Sequence, residues 1–471
     1  MKSLQKVLSV VLAGAMALTA TACQGGKGSN SGAAPASSKG EVSSGASLDT
    51  VPTIDKINLG TDYKDVKADL TILTNRSDIY QTTFKDYIKK FQELYPNINI
   101  KYQASTKYDD DTTTRLATKN WGDICSIPST VKNSEFADHF ISFGKVSDLS
   151  KIYNFTTAKY YQGECYGIST MGNVEGVVYN KKVYKDAGIT TLPKTPDEFL
   201  NDLKLVKSKT KAIPLYTNFA AGWTMGKWDI YDGIAATGDA DFMNQKLQKM
   251  KDPFAKSSFA AGTGPYTVYN ILYEAVKNKL TEADPATTDW ESSKGKLNKG
   301  EIATMMLGSW AIPQMQSAGP NKDDVGYMPF PITVNGKQYA TKDSDYCFGI
   351  NKDASKTNQI AAMLYVKWFT EKSNFAYDQA GVPVVKNAEL PPVLQNFKDA
   401  TLLEDNPAKS GEEDIYTNVN HDSELSLNSD YKHVQTVVEA AMKSTKTMDW
   451  IASDWNQKWA KAQQSNNVTV G

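Results

Sequence analysis

The sequence is poor in cysteine and histidine, with four cysteines and three histidines among its 471 residues. After the N-terminal cysteine come Cys125, Cys165 and Cys347, without any C-x-x-C spacing. This spacing predicts no disulfide framework, although it leaves room for one bridge. The three histidines are too widely scattered along the chain to suggest a metal cluster. The composition therefore predicts neither a bound metal nor a cofactor.

A charge excess of either sign is also absent, because 52 lysines and arginines are balanced by 53 aspartates and glutamates. A nucleic-acid-binding protein needs a basic stripe or patch, so this balance argues against a nucleic-acid partner. Beyond the N-terminal segment the chain has no apolar run of the ~20 residues that cross a bilayer as a helix.

Motifs of hydrolytic enzymes are absent as well. The sequence contains no GxSxG, HExxH or Ser/His/Asp arrangement. The acidic stretches Asp109–Asp111 and Glu412–Asp414 are typical of solvated loops, whereas a glycoside hydrolase needs two carboxylates about 5–10 Å apart. We therefore predict that the protein is not an enzyme, and keep a secreted glycoside hydrolase as the alternative from that class.

The N-terminus has the layout of a bacterial secretory signal. Lys2 and Lys6 form a short positive region, and the apolar run that follows, about 12 residues long, is too short to span a membrane. Small residues then lead to Cys23. This arrangement resembles the lipobox of bacterial lipoproteins, although Ala20 occupies the position where leucine is usual. The resemblance implies removal of residues 1–22 and a lipid on Cys23; an ordinary cleaved signal with an incidental cysteine is the alternative.

Residues 23–50 consist mainly of glycine, serine and alanine and offer almost no side chain that could form a core. Segments of this composition stay disordered in water, so we predict a linker between Cys23 and the folded part. The remaining ~420 residues exceed one compact core, which predicts two lobes.

The first part of the folded region predicts a β-α-β unit. Leu70–Thr74 has strand-like residues, and apolar residues recur at helical spacing from Phe84 to Tyr95. Ile98, Ile100 and Tyr102 then alternate with polar residues, as in a strand. This order predicts an α/β fold with a parallel sheet covered by helices.

Several later helices are also predicted. Thr195 and Glu198 form a capping box with Pro196 at the first helical position. Apolar spacing predicts further helices over residues 359–370, 434–442 and 451–462. In the last of these, Trp455 and Trp459 are interpreted as packing residues rather than as a binding site.

Three stretches carry short motifs of one protein family. The first comprises Gly163–Ile168, Glu175–Lys182 and Lys194–Phe199; the second comprises Leu297–Met305, Gly308–Ala311 and Pro329–Pro331; the third comprises Phe348–Lys356 and the helix after it. In this order they resemble the family 1 extracellular solute-binding proteins, the maltose-binding-protein-like group. Ser169 and Pro196 depart from the proline and tryptophan that are usual in the family.

The resemblance implies a two-lobed periplasmic-binding-protein fold of the α/β class, with a hinge and lobes that are each discontinuous in sequence. We expect crossovers near residues 173–178, 345–350 and 381–390. The expected N-terminal lobe comprises residues 51–174 plus about 348–385, and the expected C-terminal lobe residues 175–347 plus about 386–471.

The resemblance also implies a function. Members of the family capture a sugar or oligosaccharide between the lobes, outside the cytoplasm, and deliver it to an ABC importer. The expected partners are therefore a carbohydrate ligand, the membrane subunits of the importer and, through the lipid anchor, the outer face of the cytoplasmic membrane. We expect a monomer. The alternatives are a non-sugar solute, such as a peptide or a phosphorylated polyol, and a role as a sensor subunit.

A sugar site needs aromatic platforms for C–H faces and planar polar groups for hydroxyl pairs. Trp310 follows Gly308 and Ser309, and the family's matching tryptophan stacks on sugar, so Trp310 is the first candidate, with a core tryptophan as the alternative. Trp223 follows a predicted strand and a loop of small residues, where α/β lobes present ligand contacts.

The polar candidates are Asn75, Arg76, Asp123, Glu175 and Tyr346. Asn75 and Arg76 end the first predicted strand, although the arginine can instead pair with a neighbouring aspartate. The family's counterpart of Asp123 often stabilises a turn. Glu175 and Tyr346 lie at expected crossovers. As an alternative to binding the ligand, Glu175 can pair with a lysine.

Overall fold

The computed structural model describes residues 48–105, 107–428 and 430–471. The predicted signal peptide, Cys23 and most of the predicted linker lie outside the described residues. Everything described belongs to one unit, Gly45–Gly471.

The strands are short, as is usual for α/β proteins. In chain order they are β1 Ala68–Thr74, β2 Ile98–Ala104, β3 Ile124–Ser126, β4 Gly144–Lys145, β5 Tyr160–Tyr161, β6 Glu164–Cys165, β7 Ile168–Ser169, β8 Gly172–Asn180, β9 Ile213–Leu215, β10 Ile302–Gly308, β11 Val325–Met328, β12 Thr333–Val334, β13 Lys337–Ser344, β14 Cys347–Ile350 and β15 Thr401–Leu403.

The α-helices are interspersed with the strands, and the last three follow β15. They are α1 Thr83–Gln92, α2 Tyr108–Leu116, α3 Phe136–His139, α4 Val146–Leu149, α5 Lys181–Asp186, α6 Pro196–Lys209, α7 Gly222–Met225, α8 Ile234–Thr237, α9 Gly264–Lys277, α10 Trp290–Asn298, α11 Ala311–Ser317, α12 Lys356–Lys372, α13 Phe375–Asp378, α14 Ile415–Asp422, α15 Lys432–Lys443 and α16 Met448–Ser465.

The first sheet has the strand order β2-β1-β3-β14-β7. Strands β1 and β2 are parallel from the pair Ala68–Ile98 to the pair Thr74–Ala104, with α1 between them in sequence, so the predicted β-α-β unit is confirmed. Strand β14 joins this sheet antiparallel to β3 and β7, although it lies more than 200 residues further along the chain than β3.

The second sheet has the order β12-β13-β8-β10-β9, with β11 also paired to β8 and β15 paired to β13. Two residues separate the end of β7 in the first sheet from the start of β8, and two separate the end of β13 from the start of β14 in the first sheet. The chain therefore passes between the sheets at residues 170–171 and 345–346. Both passages lie near expected crossovers, and the exact lobe boundaries stay a prediction.

Local signals account for several helix ends. The Thr195 hydroxyl accepts a hydrogen bond from the Glu198 backbone N–H, and Pro196 opens α6, which confirms the predicted capping box. The acidic stretch Asp109–Asp111, expected in a loop, lies instead in the first turn of α2. Negative side chains in that turn interact favourably with the positive end of the helix dipole, which explains the difference.

The helix predicted over residues 451–462 is confirmed as part of α16. Its tryptophans Trp455 and Trp459 are buried and pack edge-on against Phe254, at centroid distances of 5.7 and 5.6 Å. They therefore belong to the core that covers one face of the second sheet, as the sequence predicted.

Three further observations concern the described residues. None of their helices combines the length and the apolar composition that a membrane span requires. Their three cysteines are buried free thiols. No group of three or more histidine, cysteine, aspartate or glutamate side chains among them is arranged to hold a metal ion.

A buried polar network lies in the core against the second sheet. Asp229 is fully buried, and its carboxylate accepts hydrogen bonds from the Tyr269 hydroxyl and the Asn428 backbone N–H, both at 2.8 Å. The Nε2 atom of His433 lies 2.8 Å from the same carboxylate. These contacts join the segment around residue 229 to α9 and α15.

Replacing Asp229 by alanine would leave these buried donors without an acceptor. Each unsatisfied buried group costs about 1–3 kcal/mol, so we expect Asp229→Ala to lower the free energy of unfolding by about 3 kcal/mol or more. Urea titration followed by circular dichroism measures this. Asp186→Ala, which removes an exposed ion pair with Lys182, is the control and should cost less than about 1 kcal/mol. Equal losses in the two variants would contradict the importance of the network.

Candidate functional site

Three tryptophan rings lie against one another on the side of the second sheet. The centroids of Trp223 and Trp290 are 5.2 Å apart, those of Trp223 and Trp310 are 5.7 Å apart, and those of Trp290 and Trp310 are 5.8 Å apart. Trp223 is 45% exposed, and the other two rings are half-buried. We call these three rings the tryptophan wall. The structure thus brings together both tryptophans that the sequence singled out and adds Trp290.

Each ring comes from the start of a helix. Trp223 lies in the first turn of α7, Trp290 is the first residue of α10, and Trp310 precedes α11. The chain reaches Trp310 directly from β10, whose last residue, Gly308, leaves the necessary space. A Cβ atom on Gly308 would lie 2.6 Å from Trp310 Nε1 and 2.8 Å from Glu175 Oε1. Any larger residue at position 308 would displace the Trp310 ring or the Glu175 carboxyl group.

A polar cavity of about 510 Å³ lies beside the first sheet. It is lined by Asn75, Ser77, Ser105, Lys107, Tyr108, Asp109, Asp110 and Tyr346. The Tyr346 hydroxyl donates to Asp109 Oδ1 at 3.1 Å, and its ring packs edge-on against Tyr108 with centroids 5.8 Å apart. We call this the tyrosine cavity. It brings together two residues predicted from the sequence, Asn75 and Tyr346.

Glu175 lies on β8 and is only 1% exposed. Neither of its carboxyl oxygens has a hydrogen-bond partner among the described residues. Burial raises the pKa of Glu175, and the positive charge of Lys227 acts in the opposite direction. Its carboxyl group is thus sealed beneath the surface in this structure. Contact with a ligand stays a prediction for Glu175.

Two further carboxyl groups lie at the point where the chain returns to the first sheet. Burial and the Glu175 carboxyl group raise the pKa of Asp343 well above its usual range. Burial also raises the pKa of Asp345, which the charges of Arg76 and Lys227 oppose. Asp345 therefore interacts electrostatically with one cation next to the first sheet and one next to the second. It also neighbours Tyr346 of the tyrosine cavity.

Arg76 is held by contacts within the protein. Its guanidinium group donates two hydrogen bonds to Asp78, at 2.9 and 2.7 Å, and one to Gln379 Oε1 at 2.7 Å. It also lies 5.7 Å from the centroid of the Phe375 ring. This is the pairing with a neighbouring aspartate that the sequence offered as the alternative to ligand binding.

The Asp123 carboxyl group also has hydrogen-bond partners within the protein. Its Oδ2 atom accepts from the Thr71 backbone N–H and its Oδ1 atom from Asn358 Nδ2, both at 2.8 Å. The Asp123 carboxyl group thus joins β1 to the start of α12. The position favours the turn-stabilising interpretation of Asp123 over ligand binding.

A second cavity, of about 360 Å³, lies beside the end of β13. Asp343, Glu404, Asp405 and Glu413 contribute carboxyl groups to its lining, and Lys342 pairs with Glu404 at 3.1 Å. Burial raises the pKa of Asp405 to about 7, and its Oδ1 atom has no hydrogen-bond partner among the described residues. The sequence contained no sign of this acidic cavity, because its residues come from segments far apart in the chain.

Sequence reasoning missed Trp290, Tyr108, Asp109 and Lys227. Trp290 follows Asp289, which caps α10 by accepting from the Ser292 backbone N–H, but a cap does not show where the next ring points. Lys227 follows Trp223 by four residues in a continuous helical segment, a spacing that puts side chains on one face. That spacing was the one available signal for Lys227.

Together the wall and the tyrosine cavity offer aromatic faces, hydroxyls, an amide, carboxylates and ammonium groups. Aromatic faces accept apolar C–H surfaces, and the polar groups can pair with hydroxyls. Such a combination suits a ligand that is polyhydroxylated and has apolar faces.

Comparison with known proteins shows the family of this chain. The sequence model of the family described as bacterial extracellular solute-binding protein matches residues 77–374. A curated relative, the multiple sugar-binding protein of Streptococcus mutans, is 25% identical over 362 residues, which are 73% of this chain and 83% of the relative.

Two solved structures from Bifidobacterium animalis subsp. lactis are similar over nearly their whole length. One is BlMnBP2, a manno-oligosaccharide-specific solute-binding protein in complex with mannotriose; it is 51% identical, has a TM-score of 0.81, and is matched over 88% of this chain and 99% of its own. The other is BlMnBP1, a binding protein of an ABC transporter in complex with mannobiose; it is 50% identical, with a TM-score of 0.82 and matches of 89% and 100%. The chain belongs to the bacterial extracellular solute-binding proteins and has their two-lobed α/β fold.

The raised pKa of Asp405 predicts that the stability of the protein depends on pH. An aspartate in the unfolded chain titrates near pH ~4, whereas Asp405 in the folded protein titrates at about 7. Between these values the folded state holds the proton that the unfolded state has lost, so stability falls as pH rises through this window. Asp405→Asn removes this contribution.

We expect the melting temperature of the wild type to fall more between pH 5 and pH 8 than that of Asp405→Asn, as measured by differential scanning calorimetry. Glu413→Gln, at the exposed rim of the same cavity, is the control and should follow the wild type. Identical pH dependence in all three proteins would show that Asp405 is ionised across the whole range.

Proposed function

We propose that this protein captures a manno-oligosaccharide between its two lobes and delivers it to the membrane subunits of an ABC importer. The observation that carries the proposal is the tryptophan wall, three adjacent rings of which one is 45% exposed. The similarity to BlMnBP2 and BlMnBP1, both seen with manno-oligosaccharides, supports the choice of sugar.

The wall supplies the apolar part of the site. The C–H faces of pyranose rings lie well on indole rings, and each ring buries a large area without adding flexible bonds. Trp223 and Trp310 are the proposed stacking residues, and the half-buried Trp290 supports both through edge-on contacts.

The tyrosine cavity supplies the polar part. Asn75 and Tyr346 are the proposed hydroxyl-binding residues there, with Tyr108 and Asp109 holding the Tyr346 ring and hydroxyl. Arg76 and Asp123 are the weaker candidates from the sequence, since their side chains already have partners within the protein. Glu175 is proposed to act from beneath the surface.

Closure of the lobes on the ligand is part of the proposal. The proposed lobes comprise residues 51–174 plus about 348–385, and residues 175–347 plus about 386–471. A ligand that contacts both lobes only in the closed state shifts the population toward that state. The importer then recognises the closed form, and the binding protein itself catalyses no reaction.

The proposed location is the outer face of the bacterial cytoplasmic membrane, with a lipid on Cys23 as the anchor and residues 24–50 as the tether. The family's extracellular role supports a position outside the cytoplasm. The tether would keep the monomeric binding domain at a high effective concentration near the importer.

A thermal-shift screen of residues 24–471 tests the proposal. The panel contains mannobiose, mannotriose, maltotriose, chitobiose, raffinose, inorganic phosphate, a tripeptide and divalent metal ions. We expect a saturable rise in melting temperature with mannobiose or mannotriose, because a ligand that binds only the folded state stabilises it. A rise with phosphate, peptide or metal alone would contradict the sugar assignment and leave the fold unaffected.

Trp310→Ala tests the wall. Loss of one stacking face is expected to weaken mannotriose binding by about 2 kcal/mol, roughly 30-fold, as measured by isothermal titration calorimetry. The ligand-free variant should melt close to the wild type, whereas a core tryptophan would cost about 3–5 kcal/mol of stability. Trp450→Ala, which removes a 47% exposed tryptophan on α16 beneath Lys446, is the matched control and should bind normally.

A further inference from the structure

Lys227 is a half-buried cation without a close partner. It lies in the 3₁₀-helical segment Gly226–Tyr231 that continues α7, four residues after Trp223 of the wall. Its ammonium group forms no hydrogen bond or ion pair with any residue that the structure describes. By contrast Lys294, which lies 4.8 Å from the centroid of the Trp290 ring, is paired with Glu291 at 2.9 Å. An ammonium group without a partner among the described residues is available for a ligand.

Three carboxyl groups act on Lys227 from a distance. The charge of Glu175 makes the largest contribution to the raised pKa of Lys227, and Asp343 and Asp345 contribute in the same direction. None of the three lies within the 4.0 Å of an ion pair. The ammonium group is therefore held in its charged form by neighbours that leave its hydrogen-bond donors free.

Glu175 acts electrostatically on Lys227 and does not itself compete for the ligand. Its two oxygens are inaccessible and unpartnered, and its Oε1 atom lies beside Gly308, close to the indole nitrogen of Trp310. Burying a carboxylate without a counter-charge costs several kcal/mol, so an isolated Glu175 would be protonated. Lys227 and Glu175 thus depend on each other electrostatically, although they do not touch.

We propose that Lys227 binds the ligand directly, donating hydrogen bonds to hydroxyl groups of a pyranose that lies on the tryptophan wall. Glu175 is a positioning residue that acts on the ligand only through Lys227. This inference rests on the proposed function and adds two roles to the same site. The chemistry recognised is a pair of adjacent hydroxyls, whose oxygens accept hydrogen bonds from the ammonium group.

Other charged and titratable groups act on the same carboxyl groups. Tyr231 and Tyr327 lie near Glu175, and burial together with the Glu175 charge raises the pKa of each. Arg76 acts on Asp345, and Asp405 acts on Asp343. Lys227 is thus the cation that acts on Glu175 itself, which makes it the residue to vary.

Isothermal titration with mannotriose on the full mature chain tests the proposal. We expect Lys227→Met to weaken binding at least tenfold and Glu175→Gln to weaken it three- to tenfold. In the Lys227→Met background, Glu175→Gln should change affinity less than twofold, because its effect passes through the ammonium group. Glu175→Asp and Lys227→Arg keep the charges and should each retain binding within about fivefold of the wild type.

Lys294→Met is the matched control, since it removes a lysine beside the same wall that already has a partner, and it should change affinity less than twofold. Melting curves of all ligand-free variants separate binding losses from unfolding. Lys227→Met binding as well as the wild type overturns the proposal, and so does an undiminished effect of Glu175→Gln in the Lys227→Met background. If the wild type binds a different sugar from the screen, the same variants are measured with that sugar; a wild type that binds no sugar overturns both this inference and the proposed function.

Discussion

Strand β8 pairs with β13, β10 and β11 and begins where the chain leaves the first sheet. The geometry of the candidate site therefore depends on how β8 packs. All nine of its residues are buried. At Gly172 a Cβ atom would lie 2.1 Å from the Phe155 ring, and at Gly176 it would lie 2.5 Å from the Met328 carbonyl oxygen. Glycine at these two positions lets the neighbouring segments approach closely, and Glu175 between them is thereby sealed from water. The constraint on the strand thus creates the buried charge on which the electrostatics of the site depend.

A buried carboxyl oxygen without a hydrogen-bond partner lowers stability, and Glu175 and Asp343 both carry such oxygens. Glu175, Asp343 and Asp345 share the junction between the sheets, where the charge of Lys227 acts on all three and that of Arg76 acts on Asp345. Replacing such groups by apolar residues commonly preserves or raises stability, so stability alone does not account for them. These carboxyl groups are explained if the site must keep an ammonium group charged and unpaired. They then act on the ammonium group through space and leave its hydrogen-bond donors free.

The sequence predicted the regular parts of the fold and two rings of the tryptophan wall. The β-α-β unit, α6 and α16 follow from periodicity and capping, which are local properties of the chain. Trp223 and Trp310 could be singled out because each follows a strand in a short, recognisable motif. Trp290 could not be singled out, because it joins the site only through the packing of α10, and Lys227 had only its spacing from Trp223 as a signal. Arg76 and Asp123 stay predictions: the Arg76 guanidinium group is paired with Asp78, and the Asp123 carboxyl group accepts a hydrogen bond from the Thr71 backbone N–H.

The geometry of the tryptophan wall also limits how a sugar can be held. Carbon atoms in contact lie about 3.5–4.0 Å apart, so two rings that sandwich a pyranose must be nearly parallel and roughly 7–8 Å apart. The wall's centroids are 5.2 to 5.8 Å apart and its ring planes are inclined by 47° to 82°, so the rings contact one another instead. A sugar on this wall is therefore covered on one face only. Its other face must be covered from the opposite lobe, and this requirement makes tight binding depend on closure.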